Sequence, residues 1–327
     1  MSTIAEVSDL QTLETGFSRE GVEAISRARI ETGASRDARI RAWELYESLP
    51  MPARTDEEWR RTDLRGLKLD RLRPAAGVDD PGIAPLQALE EAGVEDAAAQ
   101  IALGPNAGVV VQRDASTILT TLDPEVAARG VIFTDLATAY REHPELVERY
   151  FMTQAVQPSL GKFQALHAAF WQGGSFLYVP KGVTVEAPFR AFSLISQPGA
   201  AVFSHTLAVI EEGAQAFVAD AFRSPSQDVQ SFASAVVELI VGQDAKLRYV
   251  QVQDWGRDVW NFMTERAILA QDATLNSLHV TLGAKFSKSS IAAHLRGKNT
   301  LAEMLGIYFG DGDQFFDHQM PAPSIRG

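Results

Sequence analysis

The densest group of side chains able to hold an ion lies near the C-terminal end of the chain, where Asp311, Asp313, Asp317 and His318 follow one another closely. Carboxylate oxygens and one imidazole form a donor set that ferrous iron or another divalent ion accepts. Asp317 and His318 are the candidate metal ligands; the competing reading of the same residues is a solvated turn. The other imidazoles are scattered. His279 stands between Leu278 and Val280 in an alternating stretch, on the face shared with Ser277 and Thr281, so it is expected to point outward. His205 and His294 sit in comparable stretches and carry the same expectation.

Signatures of other chemistry are missing. Gly283-Ala284-Lys285 lacks the earlier glycine and the following Ser or Thr of a phosphate-binding loop, and Gly310-Asp311-Gly312 reads as a turn. Neither a G-x-S-x-G elbow nor an H-E-x-x-H pair occurs. No catalytic or cofactor-binding residue follows from the sequence. There are no cysteines in 327 residues, which excludes disulfides, thiol nucleophiles and thiolate zinc sites.

A formal net charge of −12 opposes the phosphate neutralisation that nucleic-acid binding requires. Residues 1–14 mix charged and polar side chains, unlike a secretory leader, and no apolar run reaches bilayer length. A cytoplasmic location is therefore expected. The hydrophobic fraction, 46%, supports a substantial core.

The elements that must position these residues change character along the chain. Ile40, Trp43, Tyr46 and Leu49 recur at three-residue steps and predict a helix stopped by Pro50 and Pro52. Thr55-Asp56-Glu57-Glu58 has capping-box spacing and predicts a short helix carrying Trp59. Residues 74–93, rich in Pro, Gly, Ala and acids, read as a linker. Helical patterns recur over 135–150 and again where Phe163, Leu166 and Phe170 share a face ahead of Gly173-Gly174. Short apolar runs such as 109–111 and 131–133 have strand character. We divide the chain into an N-terminal helical region with linker, 1–98, and a β core, 99–327.

Within that core the sequence repeats when aligned on Ala214, Ala245, Ala273 and Asn299. Four positions earlier stand Ile210, Val241, Leu269 and Leu295; six earlier, Ala208, Leu239, Ala267 and Ala293. Two positions later come Ala216, Leu247, Leu275 and Leu301; five later, Ala219, Val250, Leu278 and Met304. Polar triplets separate the columns: Glu211-Glu212-Gly213, Gly242-Gln243-Asp244, Ala270-Gln271-Asp272 and Arg296-Gly297-Lys298. Strand, turn, strand at a drifting period fits a β-solenoid whose coils stack inward residues on one another. The apparent change of phase between the last two columns implies a bend or bulge in each coil. A β-sandwich of hairpins is the alternative.

Three segments resemble the SufB/SufD family of iron-sulfur cluster assembly proteins. Phe163-Gln164-Ala165-Leu166-His167-Ala168-Ala169-Phe170 is similar to its "ALN-A-F" helix, and Gly173-Gly174-Ser175-Phe176-Leu177-Tyr178-Val179-Pro180-Lys181-Gly182, then Glu186-Ala187-Pro188, to its "G-FLYVPKG" strand and acidic-x-Pro step. Glu57-Glu58-Trp59-Arg60-Arg61-Thr62-Asp63-Leu64 resembles the "EEWRYTDL" entrance of the SufD branch. Gly310-Asp311-Gly312-Asp313-Gln314-Phe315-Phe316-Asp317-His318-Gln319 resembles "GDG-QH-DHQT", with the pattern departing at Met320.

The resemblance implies a mainly β fold, a right-handed parallel β-helix preceded by an N-terminal helical region. It implies a non-catalytic scaffold that pairs with SufB and acts with the SufC ATPase. The chain alone would bind no cofactor; an iron-sulfur cluster would form transiently at the interface with SufB, which would supply the thiolate. Departure from the family pattern past Gln319 implies a missing set of last coils, SufC-docking domain and functional histidine, and a sticky open end near 307–316. Two rival functions share the fold: a carbohydrate-active enzyme, and a structural solenoid unconnected with cluster assembly.

Overall fold

Turn chemistry sets the coil. Gly213, Asp244, Asp272 and Asn299 all have positive φ, between 55° and 66°, a region that Gly, Asp and Asn enter at least cost. Each ends a turn and delivers the chain from one sheet to the other. The computed structural model describes residues 15–75 except 30 and 32, residues 105–320, and the backbone of 324–325.

Helices α1 (Arg19–Ala28) and α2 (Ala34–Ser48) come first, followed by single 3-10 turns and a short β1 (Arg73–Pro74). Next are β2 (Gly108–Arg113), β3 (Ser116–Leu122), α3 (Pro124–Ala127), β4 (Ile132–Asp135), α4 (Leu136–Glu142), α5 (Pro144–Tyr150) and α6 (Lys162–Phe170). The coil strands follow: β5 (Gly173–Val179), β6 (Phe189–Leu194), β7 (Ala200–Ile210), β8 (Gln215–Arg223), β9 (Ser231–Val241) and β10 (Lys246–Asp254). The last are β11 (Val259–Leu269), β12 (Thr274–Thr281), β13 (Phe286–Leu295), β14 (Leu301–Tyr308), β15 (Phe315–Gln319) and β16 (Ser324–Ile325).

Successive strands alternate between two sheets. One runs β15, β13, β11, β9, β7, β5, β4 in space, with β1 beside β7 and β16 beside β13; the other runs β14, β12, β10, β8, β6, β2, β3. Coil-to-coil pairing is parallel, as between β7 and β9, whereas β3 and β4 pair antiparallel with β2 and β5. The result is a mainly β solenoid of about five turns preceded by N-terminal helices. A β-sandwich of hairpins is excluded, because hairpin strands pair antiparallel.

The sequence columns test the register. Ile210, Val241, Leu269 and Leu295 lie opposite one another, as do Ala208, Leu239, Ala267 and Ala293. The second sheet departs from expectation in two ways. First, the turn 296–299 is one residue longer than the turn 270–272, so Thr274 pairs with Leu301 and Leu275 with Ala302. A one-residue slip reverses the faces of a strand. Leu301 is therefore exposed, while Ala302 and Met304 pack on the core. Second, the strands do not bend: β8, β10 and β12 alternate regularly in burial. Ala219, Val250 and Leu278 face outward, half-buried, and the inward neighbours are the polar Asp220, Gln251 and His279. Reading polarity as exposure produced the false bend.

Helices cover the outer face of the first sheet. Trp43, Phe163, Phe170, Phe203, Phe232 and Phe262 belong to one buried cluster that joins α2 and α6 to β7, β9 and β11. Gly174 makes close approach possible, because a Cβ there, at φ +130°, would lie 1.8 Å from the His205 carbonyl oxygen. The expected 135–150 helix is two helices, divided at His143-Pro144, since proline cannot donate to the preceding turn.

The capping box does not form. Asp56, not Thr55, stands at the N-cap position of a 3-10 turn at Glu57–Trp59 without a side-chain cap bond, and its carboxylate instead accepts from the Ala53 amide at 2.9 Å. The arm that follows crosses the outer face of the first sheet, from Thr62 at Asp317 of β15, past Gly66 at Gln230, to Arg73 and Pro74 paired with Ala200 and Ala201 of β7. Pro74 is thus in a strand; the rest of the expected linker from 76 onward, and the 98/99 boundary, lie outside the described residues, as does residues 1–14.

At the other end the apolar surface is open. Leu305, Ile307, Tyr308 and Phe309 are 55%, 55%, 63% and 73% exposed along and beyond the edge strand β14.

Candidate functional site

The four C-terminal candidates occupy four environments. Asp311 faces Arg257 at 3.5 Å, and Asp313 is bonded to Lys285, which holds its carboxyl below the ordinary range. Asp317 accepts from Lys288 at 2.7 Å and from the Thr62 hydroxyl at 2.6 Å. Burial works to raise its pKa, but these bonds outweigh it and leave the carboxyl below its usual value. His318 stacks on Tyr308 at 5.3 Å, and burial pushes it down to about 4. Each carboxylate thus answers a cation of its own. Among the described residues, no group of three or more His, Cys, Asp or Glu is arranged to hold a metal ion.

Of the three histidines expected to face solvent, two are buried instead. His205 is 0% exposed because the face of β7 that bears it lies under α6 and the loop after α5. His279 is 3% exposed because it points into the solenoid. His294, on β13, is half-buried.

His205 belongs to a continuous chain of polar contacts. Its Nε2 lies 3.0 Å from Glu238 Oε2 on β9, and its Nδ1 lies 3.2 Å from Nε2 of His167 on α6. His167 Nδ1 is 3.1 Å from the Ser234 hydroxyl. The Glu238 oxygens also accept the amides of Met152, at 2.7 Å, and Val156, at 3.0 Å, so the carboxyl anchors the loop between α5 and α6. Met152 takes a positive φ of 50° to present its amide. Burial pushes Glu238 up to about 8 and His205 down to about 3. The pair is a hydrogen-bonded neutral acid and neutral imidazole rather than an ion pair.

A second polar group lines the interior. Asp220 Oδ2 accepts from Thr206 at 2.6 Å and Tyr249 at 3.1 Å, joining the two sheets, and burial raises its carboxyl to about 6. His279 meets Gln251 at 3.0 Å and approaches Glu265 at 3.4 Å. Burial lowers the His279 pKa, but the Glu265 carboxylate outweighs it and the net direction is up. This pair is ionic.

A cleft of about 130 Å³ opens where the arm meets α6 and the outer sheet face. Trp59, Phe163 and Phe262 are stacked there, with Phe163 and Phe262 centroids 4.1 Å apart. Its polar lining includes Lys162, Gln164, Ser234, Thr264 and Arg266. Ser234 is thus shared between the cleft and the His167 chain.

Sequence reasoning missed His167, Glu238, Asp220 and Glu265. One signal was present: in β9, Glu238 interrupts an otherwise apolar run, and an acid inside a two-sided apolar strand is buried with a partner; Glu265, between Thr264 and Arg266, gave no such signal.

These features define a class: a two-sheeted β-solenoid with a helical cover and polar groups on both faces of the covered sheet. The family follows from comparison with known sequences. Residues 113–191 match the SufBD protein N-terminal region, and residues 193–322 match the SufBD core domain of SUF-system iron-sulfur cluster assembly. The chain carries the domains of the SufB/SufD family. It is 29% identical over 312 residues to the iron-sulfur cluster assembly protein SufB of Bacillus subtilis. It is 30% identical over 312 residues to SufBD family proteins of Staphylococcus haemolyticus and Staphylococcus epidermidis. Each alignment covers 93% of this chain and 65% of the relative, so the chain spans about two thirds of the length of the curated relatives it matches. The core-domain match extends three residues past Gln319, where the motif resemblance departs.

Proposed function

We propose that this chain is a SufD-type, non-catalytic scaffold in iron-sulfur cluster assembly, pairing with SufB and working with the SufC ATPase in the cytoplasm. The observation that carries this reading is the absence of cysteine from a chain with SufBD domains. Cluster iron is normally held by thiolates, so the cluster is cargo assembled where a partner supplies them. In this reading residues 15–75 of the 1–98 region supply helices and an arm over the first sheet, and the 99–327 core is the scaffold proper. The apolar edge at β14 adds support, because an unpaired strand edge is a template for a partner strand. Similarity to a protein named SufB favours, as a second reading, a role in SufB's place; the missing thiolates weigh against it.

The test is co-expression with SufB and SufC from the same organism, followed by anaerobic reconstitution of the isolated chain and of the complex. The expected result is retention of SufB and a cluster signal only with SufB present. A stoichiometric cluster on the isolated chain, or no retention of SufB, would overturn the assignment.

A further inference from the structure

The Glu238–His205–His167 chain ends on Ser234, which is itself part of the cleft wall. A neutral imidazole carries one N–H, so a line of two imidazoles has only two consistent proton arrangements. In the first, Glu238 is ionised. His205 Nε2–H donates to it, His167 Nε2–H donates to His205, and the Ser234 O–H donates to His167 Nδ1. The cleft then sees only lone pairs on the serine oxygen.

In the second arrangement Glu238 is protonated and donates to His205 Nε2. Every bond in the chain reverses, His167 Nδ1–H donates to the Ser234 oxygen, and the serine O–H is free to donate into the cleft. The two states differ by one proton, located on Glu238.

The cleft around that hydroxyl suits negative charge. Arg266 bonds the Ser290 carbonyl and hydroxyl and the Glu265 carbonyl; the Glu58 and Glu265 carboxylates act on it electrostatically without a hydrogen bond, and Lys288, also in the wall, is paired with Asp317. Lys162 donates to the carbonyls of Tyr46 and Leu49. Helix α6 starts in the wall with no side-chain cap, leaving amide donors at its positive end. Glu58, the one acid among the described lining residues, is exposed at the rim. A volume of about 130 Å³ compares with about 30 Å³ per liquid water, which is room for an anion of a few heavy atoms.

We propose that this cleft binds a small oxyanion of the carboxylate or sulfate type, and that at alkaline pH, where Glu238 is ionised in the empty site, binding draws one proton onto it through the His205–His167 relay. An anion needs a donor, and only the second arrangement turns the Ser234 hydroxyl toward it. Burial already places Glu238 at about 8, so its proton exchanges near neutrality. Other charges bear on the relay. Arg39 of α2 lies near His167 but is bonded to Glu31 and to the carbonyls of Ala169 and Trp171. Arg266 of β11 and Lys162 of α6 face the cleft, and the loop after α5 contributes main-chain amides.

The experiment is calorimetric titration of the full chain with sulfate and with acetate, neither of which titrates near neutrality, in two buffers of different ionisation enthalpy. At about pH 9 the native chain is expected to take up close to one proton per anion, with affinity falling about tenfold per pH unit above the Glu238 range. Ser234→Ala should bind about tenfold or more weakly, through loss of one charge-assisted bond, and without proton uptake. Glu238→Gln removes the titrating proton and should show no proton uptake on binding; its NH2 group cannot accept the Met152 amide that shares Oε2 with His205, so a loss of stability is expected as well. Absence of binding of both anions to the native chain overturns the proposal, as does proton uptake that survives in Ser234→Ala. If Glu238→Gln does not fold, the serine variant decides alone.

Discussion

Replacing Glu238 by glutamine should remove a pH dependence of stability whose sign and size follow from its burial. The folded-state pKa is raised from 4.5 to about 8, so above pH 4.5 the folded chain keeps a proton that the unfolded chain releases. That contribution is complete below 4.5 and is lost as pH rises toward 8. His205 acts oppositely: lowered from 6.5 to about 3, it contributes stability above 6.5 that is lost as pH falls toward 3. One proton difference changes stability by about 1.4 kcal/mol per pH unit. Between 4.5 and 6.5 the two slopes cancel. From 6.5 to 8 the Glu238 slope acts alone, so native stability should fall by about 2 kcal/mol across that interval. Urea denaturation at the two ends of the interval, for the native chain and Glu238→Gln, measures it; other titrating groups contribute equally to both and drop out of the difference. Identical pH slopes for the two proteins would refute the argument that Glu238 is protonated in the fold.

Further expectations follow from packing and from the arm. Asp317→Ala removes acceptors from both Lys288 and Thr62 and should cost about 1–3 kcal/mol, with the arm over residues 53–75 becoming sensitive to limited proteolysis while the coils stay resistant. Leu239→Ala, at a fully buried position in the column shared with Ala208 and Ala267, should cost about 2–5 kcal/mol in denaturant unfolding. Ile307→Lys, on the 55%-exposed edge, should lower any concentration-dependent self-association seen by size-exclusion chromatography; a native chain that runs as a concentration-independent monomer would count against a sticky edge.

The solenoid was legible because its apolar columns in the first sheet face inward and coincide with the pairing, from Ile210 to Leu295. The second sheet was harder, for a physical reason. Its inward face carries Asp220, Gln251 and His279, which a cross-sheet bond from Thr206 to Asp220 and a bond between His279 and Gln251 on neighbouring strands make tolerable in the interior, and such bonds leave no trace in a linear pattern. The lengthening of the 296–299 turn was invisible for a similar reason: Arg296-Gly297-Lys298 is as good a turn as the four residues that form it. The relay was missed because its partners lie on different elements, His167 on a helix and His205 and Glu238 on neighbouring coils. Its acid, however, stood out as a charge inside an apolar strand. The C-terminal acids looked like one site because they are close in sequence, whereas alternation along β15 and its preceding loop sends them to separate cations.

The arm alters how such a tube comes apart. A stack of coils with nearest-neighbour contacts would ordinarily fray from its last turn, each coil lost at little expense to the others. Here the Thr62 hydroxyl grips Asp317, 255 residues away in sequence, and the same segment reaches back to β7. Peeling off the terminal turn therefore requires lifting a lace threaded across the earlier ones. Melting should gain the all-or-none character of a globular domain, and the lace can be tied only after β15 has emerged and docked.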